Sequence, residues 1–118
     1  MTRSYPLILK VTPITADAAS EKAISAVCER AIVEEGRLDV FFANAGITGA
    51  NMLANTEEEE FMEVMRVNTF SCFVAVKHAS EAMKVVNKSS GKSESGGSII
   101  MTASGESPPY FLDTLQPN

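Results

Sequence analysis

The sequence predicts an α/β fold with a small parallel sheet of about three strands and two main helices. Apolar, β-rich segments alternate along the chain with longer segments whose apolar residues recur every three or four positions. Strands that alternate with helices usually form parallel sheets through crossover connections. Small or polar residues also follow each predicted strand, as they do where ligands bind at the carboxyl ends of such strands.

The composition is that of one small globular domain. The chain has 118 residues, of which 45% are hydrophobic and 21% charged, and its net charge is -5. Its ten Lys and Arg residues are scattered, which argues against nucleic acid as a partner because phosphate binding requires clustered basic residues. No apolar run of about 18 residues is present, so we expect no membrane span. We also expect no signal peptide.

The two cysteines predict a reducing compartment. Cys28 and Cys72 lie far apart, and neither belongs to a CxxC or Cys/His pattern typical of zinc sites. We therefore expect two reduced, mostly buried thiols, no metal site and a cytoplasmic location.

Three segments are predicted as strands: residues 7–15, 38–43 and 98–103. Pro13 has no backbone N–H, so the first strand is expected at an edge or only partly paired. The second is nearly all apolar, which is typical of a strand covered on both faces. The polar composition of residues 87–97 predicts a mobile loop before the third strand.

The first helix is predicted from about Glu21 to Glu35. Ser20 or Asp17 is the expected N-cap, and Gly36 is the expected C-terminal stop. One apolar stripe should face the sheet, and it comprises Ile24, Val27, Cys28, Ala31 and Ile32.

The second helix is predicted to be long, from about Glu57 to Val86. Thr56 begins a Thr-Glu-Glu-Glu pattern typical of a capping box, in which the acids complement the helix dipole. This explanation of the glutamate run requires no metal. The expected inward stripe comprises Phe61, Met65, Asn68, Cys72, Val76 and Ala79, widened by Phe70, Phe73, Val74 and Lys77.

The candidate site residues stand at the ends of the predicted strands. They are Asp17 after the first strand, Asn44, Ala45 and Gly46 after the second, and Ser104 after the third, with Asn68 on the inward stripe of the second helix. Each polar residue has another explanation: Asp17 as a helix cap, Asn44 as a turn residue, Asn68 as a core amide and Ser104 as a strand-end hydroxyl. Their common position at successive strand ends favours a ligand site.

Several segments resemble the short-chain dehydrogenase/reductase family. Residues 36–47, which end in Asn-Ala-Gly-Ile, look like the family's fourth-strand segment. Residues 65–70 resemble its helix segment with a characteristic asparagine, and residues 96–104 resemble its fifth strand. The resemblance covers roughly residues 8–105. It implies a partial Rossmann-like, doubly wound parallel sheet that binds NAD or NADP.

The family resemblance also implies roles for individual residues. The reaction would be hydride transfer between the nicotinamide and an alcohol or ketone substrate. Ser104 would bind the substrate oxygen and Asn68 would hold a relay water, so both are expected to be catalytic. Asp17 would accept a hydrogen bond from adenine. Asn44, Ala45 and Gly46 would let the cofactor ribose approach the sheet.

Two family features are missing from the sequence. No Tyr-x-x-x-Lys pair is present, since the residue four positions after Tyr110 is Thr114. No Gly-x-x-x-Gly-x-Gly turn precedes the first predicted strand, so the usual pyrophosphate cradle is absent. We therefore expect a central, truncated fragment: residues 1–105 as a partial NAD(P)-binding domain and residues 106–118 as an irregular tail.

This fragment is expected to be inactive as an isolated chain. Two alternatives remain open: a non-catalytic module that docks through residues 57–86 on full-length relatives or another copy, and an unstable remnant. In the strand order 3-2-1-4-5-6, two strands normally separate the third from the fourth. Residues 7–15 should therefore either pair beside residues 38–43 or stay loosely attached, and both arrangements expose apolar sheet edges.

Overall fold

The computed structural model describes residues 9–103. Its main elements, in chain order, are helix α1 (Glu21–Glu35), strand β1 (Val40–Ala43), helix α2 (Glu58–Met65), helix α3 (Ser71–Met83) and strand β2 (Ser98–Met101). A π-helical turn at Arg66–Phe70 joins α2 to α3, and single 3-10 turns occur at Leu53–Asn55 and Lys88–Ser90. The predicted α/β class is confirmed, with two strands in the described range where three were expected.

The two strands pair in parallel, with Val40 opposite Ser98 and Ala43 opposite Met101. The prediction of a strand at residues 7–15 is wrong for residues 9–15, which belong to no strand, while residues 7 and 8 lie outside the described range. Residues 9–15 do not pair beside β1. Lys10 instead forms exposed ion pairs with Glu34 and Glu35 of α1, which contribute little stability.

Helix α1 has the predicted bounds and the predicted stop. The N–H of Ala23 donates to Ser20 Oγ at 3.2 Å, so Ser20 is the N-cap and Asp17 is not. Gly36 ends the helix with φ +72°, a left-handed conformation that glycine adopts without steric cost. Only Ile24 and Cys28 of the expected stripe are buried, and the other three residues, Val27, Ala31 and Ile32, are half-buried.

The second predicted helix is interrupted by the π-helical turn. The N–H of Ser71 donates to the carbonyl of Arg66, five residues earlier. The backbone remains right-handed helical at both junctions, so α2, the π turn and α3 form one continuous helical segment. Such turns widen the helix by one residue and are frequent at functional sites.

The predicted capping box at Thr56 is not formed. Glu57 occupies the N-cap position of α2 without a side-chain hydrogen bond. Thr56 Oγ1 donates instead to the carbonyl of Met52 at 3.1 Å, closing the preceding turn. The Thr56 hydroxyl is therefore bonded within the loop and does not cap α2. The acids Glu58, Glu59 and Glu60 do occupy the first turn of α2, where the helix dipole favours negative charge.

The predicted inward stripe of the second helix is right for Val74 and Ala79 and wrong for most of its other residues. The buried residues of α3 are Ser71, Val74, Ala75, Ala79 and Met83, whereas Phe61 and Val76 are 56% and 42% exposed. The segment carries apolar residues on more than one face, so periodicity alone does not select the buried one. Small side chains on the buried face allow α3 to pack against α1 and both strands.

One face of the sheet is packed and the other is open. Phe41 and Ile99 pack against a core formed by Ile24, Cys28, Val74, Ala79 and Met83. On the opposite face Phe42 is 59% exposed and Ile100 is 50% exposed, as the alternation of side chains along a strand requires. The expectation that this apolar strand is covered on both faces is therefore wrong for the part of the chain that the structure describes.

We call the edge of the sheet at which β1 and β2 begin the amino edge. The polar segment 87–97 is bound to the sheet at this edge. Lys92 is buried, and its Nζ donates to the carbonyls of Leu38 and Met83 at 2.8 and 2.7 Å. Arg37 donates to the carbonyl of Ser90 at 2.6 Å. These bonds attach the segment to the sheet and to the end of α3, although its polar composition predicted a mobile loop.

Candidate functional site

The carboxyl edge of the sheet, where Asn44 follows β1 and Thr102 follows β2, carries the candidate site. Thr102 Oγ1 donates to Asn44 Oδ1 at 2.6 Å, and the N–H of Thr102 donates to the carbonyl of Ala43 at 3.3 Å. The Asn44 side chain is thus held by the neighbouring strand, rather than only by its own turn. This pairing fixes the relative position of the two chain segments that leave the sheet.

Asn68 reaches this edge from the π-helical turn. Its Nδ2 donates to the carbonyl of Ile47, and its Oδ1 accepts from the N–H of Ile47, both at 2.8 Å. A Cβ at Gly46 would lie 3.5 Å from Asn68 Oδ1. Asn68 is exposed and is not a core amide. It binds the loop that follows β1 through both polar atoms of its side chain.

The π-helical turn places additional donors near Asn68. The thiol of Cys72 lies 3.5 Å from the carbonyl of Asn68, and the hydroxyl of Ser71 donates to the carbonyl of Val67. Both contacts are to the carbonyl four residues earlier, a pattern that commonly accompanies a distorted helix. The turn thereby presents Asn68 to the loop while Ser71 remains on the buried face.

An open cleft of about 1010 Å³ lies at the carboxyl edge. It brings Asn44, Ala45, Gly46 and Asn68 together, as predicted from the strand ends. The complete lining is Asn44, Ala45, Gly46, Ile47, Thr48, Asn68, Thr69, Cys72, Met101, Thr102 and Ala103. Small side chains at Ala45, Gly46 and Ala103 leave backbone accessible, so a planar or sugar-like ligand could approach the strand ends closely.

Comparison with known proteins identifies the family to which this fold belongs. The sequence model described as short chain dehydrogenase matches residues 7–111. The chain belongs to the short-chain dehydrogenase family. Among curated relatives, the short chain aldehyde dehydrogenase 1 of Euphorbia lathyris is 40% identical over 76 residues, which are 62% of this chain and 26% of that protein.

Solved structures support the same family and its Rossmann-like architecture. A short chain dehydrogenase from Mycobacterium avium is 33% identical, with a TM-score of 0.62 over 75% of this chain and 30% of that one. ElxO with NADP bound is 25% identical, with a TM-score of 0.58 over 73% of this chain and 32% of that one. The chain therefore spans about a third or less of the length of these short-chain dehydrogenases.

Asp17 lies apart from the cleft lining and binds two partners of its own. Its Oδ1 accepts from the N–H of Ala19 at 2.9 Å, and its Oδ2 accepts from Arg66 at 2.8 Å. The Ala19 N–H, followed by the Arg66 guanidinium, lowers the pKa of the Asp17 carboxyl below its usual value. Arg66 also donates to both carboxylate oxygens of Glu63, from Nε and from Nη2. Asp17 thus links the start of α1 to the π-helical turn.

Two sequence-predicted features lie outside the described residues: Ser104, which follows the cleft residue Ala103 in the chain, and Tyr110, in the tail at residues 106–118. Within residues 9–103, no group of three or more His, Cys, Asp or Glu side chains is arranged to hold a metal ion. None of the helices in that range is long and apolar enough to cross a membrane.

Thr102 and Cys72 are among the cleft-lining residues that sequence reasoning missed. Thr102 stands one position beyond the Ala43–Met101 pair, so the strand register would have placed it opposite Asn44. Cys72 was expected to be mostly buried, but it is half-buried and lines the cleft. Cys28 is buried as expected, and burial raises the pKa of its thiol.

Proposed function

We propose that this chain is the central part of an NAD(P)-dependent oxidoreductase that transfers hydride between a nicotinamide and an alcohol or ketone. The observation that carries the proposal is the cleft at the carboxyl edge, in which Asn44, Gly46 and Asn68 meet. Open α/β sheets bind ligands at this edge. Membership of the short-chain dehydrogenase family supports the same chemistry.

The chain offers contacts for the ribose end of a nicotinamide dinucleotide but no glycine-rich cradle for its pyrophosphate. Its backbone is accessible beside Ala45 and Gly46, where the ribose would lie, and Asn68 and Thr102 border the same space. The sequence contains no glycine-rich turn for the pyrophosphate. When bound, the nicotinamide would supply a carbon that accepts or donates hydride. The residues of this chain would position it against the strand ends.

The remaining roles follow from the family. Ser104 would bind the substrate oxygen as charge develops there, and Asn68 would orient a relay water. Asp17 would accept from adenine, although its two oxygens already bind Ala19 and Arg66. The division into a partial NAD(P)-binding domain, residues 1–105, and a tail, residues 106–118, stays a prediction. Two free thiols support the proposed cytoplasmic location.

The isolated chain should bind nucleotide weakly and should not turn it over. Without the pyrophosphate cradle and a Tyr-x-x-x-Lys pair, we expect dissociation constants for NADH and NADPH weaker than about 1 mM. Amide chemical shifts can be followed during nucleotide titration, together with nucleotide oxidation in the presence of a ketone. Shifts should be saturable and concentrated at Ala45, Gly46 and Ile47. No shift at these amides would contradict the cofactor site, and tight binding with turnover would contradict inactivity.

A second candidate function is docking to another protein through the helical segment at residues 57–86. Its exposed apolar side chains include Phe61, Met62, Met65, Phe70 and Phe73, and the last four line one open pocket. The rings of Phe70 and Phe73 stack with centroids 5.7 Å apart. Exposed apolar patches of this kind mark interaction surfaces or aggregation hazards.

Sedimentation can distinguish docking from an unstable remnant. A discrete dimer, or a complex with a full-length relative, that is lost in Phe73→Ser would support docking. Polydisperse aggregation with a molten circular-dichroism spectrum would support the remnant. A stable monomer that binds no relative would contradict both alternatives.

A further inference from the structure

The loop after β1 is fixed to the second helical segment at two places. Asn68 binds Ile47 at the start of the loop, and Glu60 binds Ala50 and Asn51 three residues further on. Ile47 and Thr48 line the cleft directly. The position of this cleft wall therefore depends on the hydrogen bonds of Asn68 at one end of the loop and of Glu60 at the other.

Glu60 provides the second attachment through both carboxylate oxygens. Its Oε1 accepts from the N–H groups of Ala50 and Asn51 at 2.6 and 3.2 Å, and its Oε2 accepts from Asn51 Nδ2 at 2.6 Å. A Cβ at Gly49 would lie 3.0 Å from Glu60 Oε1. Glycine at that position lets the loop approach the carboxylate without displacing it.

The Glu60 carboxylate can accept from all three donors, because both of its oxygens are acceptors only. A glutamine amide would instead turn a donor toward Asn51 Nδ2 unless the Asn51 amide flipped. Bonds from neutral donors to a charged acceptor are stronger than those between neutral groups. Consistently, the Asn51 side chain first, and then the Asn51 and Ala50 N–H groups, lower the pKa of Glu60.

We infer that Glu60 is a positioning residue that holds residues 47–51, of which Ile47 and Thr48 form one wall of the nucleotide cleft. It acts through Ala50 and Asn51 rather than by touching the ligand, since the cleft lining does not include it. This role rests on the proposed cofactor function of the cleft. The adjacent Glu59 is exposed and has the same charge in the same helical turn, so it provides a matched control.

The inference is tested in the complete 118-residue chain with Glu60→Ala, Glu60→Gln and the control Glu59→Ala. Amide hydrogen exchange at Ala50 and Asn51 reports the attachment. Glu60→Ala should accelerate exchange at both amides at least about tenfold, and Glu60→Gln should have a smaller effect. Exchange at Cys28 in α1 should stay unchanged, which shows that the variants remain folded. Unchanged exchange at Ala50 and Asn51 in Glu60→Ala would overturn the attachment.

Titration with NADH, followed by the amide shifts of Ala45 and Gly46, tests the consequence for binding. Glu60→Ala should weaken the apparent affinity about threefold or more, while Glu59→Ala should match the wild type. Faster exchange at Ala50 and Asn51 together with an unchanged affinity for NADH would overturn the positioning role and leave the cofactor site intact. A wild-type chain with no nucleotide response would refute the cofactor function and the positioning role that rests on it, while exchange would still decide the attachment.

Discussion

The two edges of the sheet are built differently. At the amino edge the buried ammonium of Lys92 binds carbonyls of Leu38 and Met83, and Arg37 binds the loop at Ser90. At the carboxyl edge exposed neutral groups, such as the Thr102–Asn44 pair, bind one another beside an open cleft. The amino edge therefore joins the elements together, whereas the carboxyl edge leaves backbone accessible to a ligand.

Removing the Lys92 side-chain amine should have the largest effect on stability. Lys92→Ala leaves the carbonyls of Leu38 and Met83 without their charged donor in a buried place. We expect a loss of about 3 kcal/mol in the free energy of unfolding, measured in urea. Lys88→Ala, an exposed lysine in the same loop, is the control and should change stability by less than about 0.5 kcal/mol. Equal stabilities of the two variants would show that the amino edge does not depend on Lys92.

Replacing one glycine at each edge with alanine tests how tightly the two edges are packed. A Cβ at Gly97 would lie 2.7 Å from the carbonyl oxygen of Asp39 and from the sulfur of Met83, whereas a Cβ at Gly46 would meet Asn68 Oδ1 at an ordinary 3.5 Å. Gly97→Ala should therefore cost about 2 kcal/mol, and Gly46→Ala less than about 0.5 kcal/mol, in thermal or urea unfolding. A larger loss from Gly46→Ala would contradict the assignment of the tight packing to the amino edge.

At the carboxyl edge, removal of the Thr102 hydroxyl should have a smaller effect. Thr102→Val preserves shape but removes the bond to Asn44 Oδ1, and we expect a loss of about 1 kcal/mol in the free energy of unfolding. Thr102→Ser keeps the hydroxyl and should restore most of the loss. Amide shifts at Ala45 should move in Thr102→Val and stay near wild type in Thr102→Ser. The opposite order would mean that packing, not the hydroxyl, matters there.

Acid should produce the smallest effect, at Asp39 of the amino edge and at Asp17, whose neighbours Ala16 and Ala18 lie beside the carboxyl edge. The Ala19 N–H and Arg66 lower the pKa of Asp17, and Arg37 lowers the pKa of Asp39. A carboxyl group with a lowered folded-state pKa stabilises the fold above its unfolded value and loses that contribution as pH falls through the folded one. Stability should therefore decline below pH 3.8, the ordinary value for both groups.

Urea unfolding over a pH series measures this decline. Asp17→Asn and Asp39→Asn should each flatten the acid limb slightly, because both carboxylates are exposed and well screened. A steep change from one variant alone would show that the two edges respond to acid differently.

Local rules predicted α1 well because its signals do not compete. Ser20 and Gly36 mark its ends, and its apolar residues recur on one face. The second helix was harder, since α3 is apolar on several sides and the π-helical turn at Arg66–Phe70 has no clear sequence signature. The strand predicted at residues 7–15 is not formed at residues 9–15, because a strand needs paired neighbours and neither described strand pairs with these residues.

The sequence predicted which strand ends contribute residues to the site, but it did not predict the hydrogen bonds between those residues. Asn44, Ala45, Gly46 and Asn68 do line one cleft, because parallel strands place their carboxyl ends at one edge. The bonds from Thr102 and Glu60 depend on the strand register and on where the loop crosses the helix. Neither hydrogen bond can be predicted from the spacing of these residues along the chain.

Local sequence signals were enough to predict the α/β class, the family and the position of the Asn44-Ala45-Gly46 turn, because capping, periodicity and strand-end chemistry are local properties. The buried face of α3, the bonds of Lys92 at the amino edge and the bonds of Asn68 and Glu60 to the cleft wall became visible only in the folded chain. These outcomes depend on contacts between residues distant in sequence. Such contacts form only where packing brings their donors and acceptors within hydrogen-bond distance.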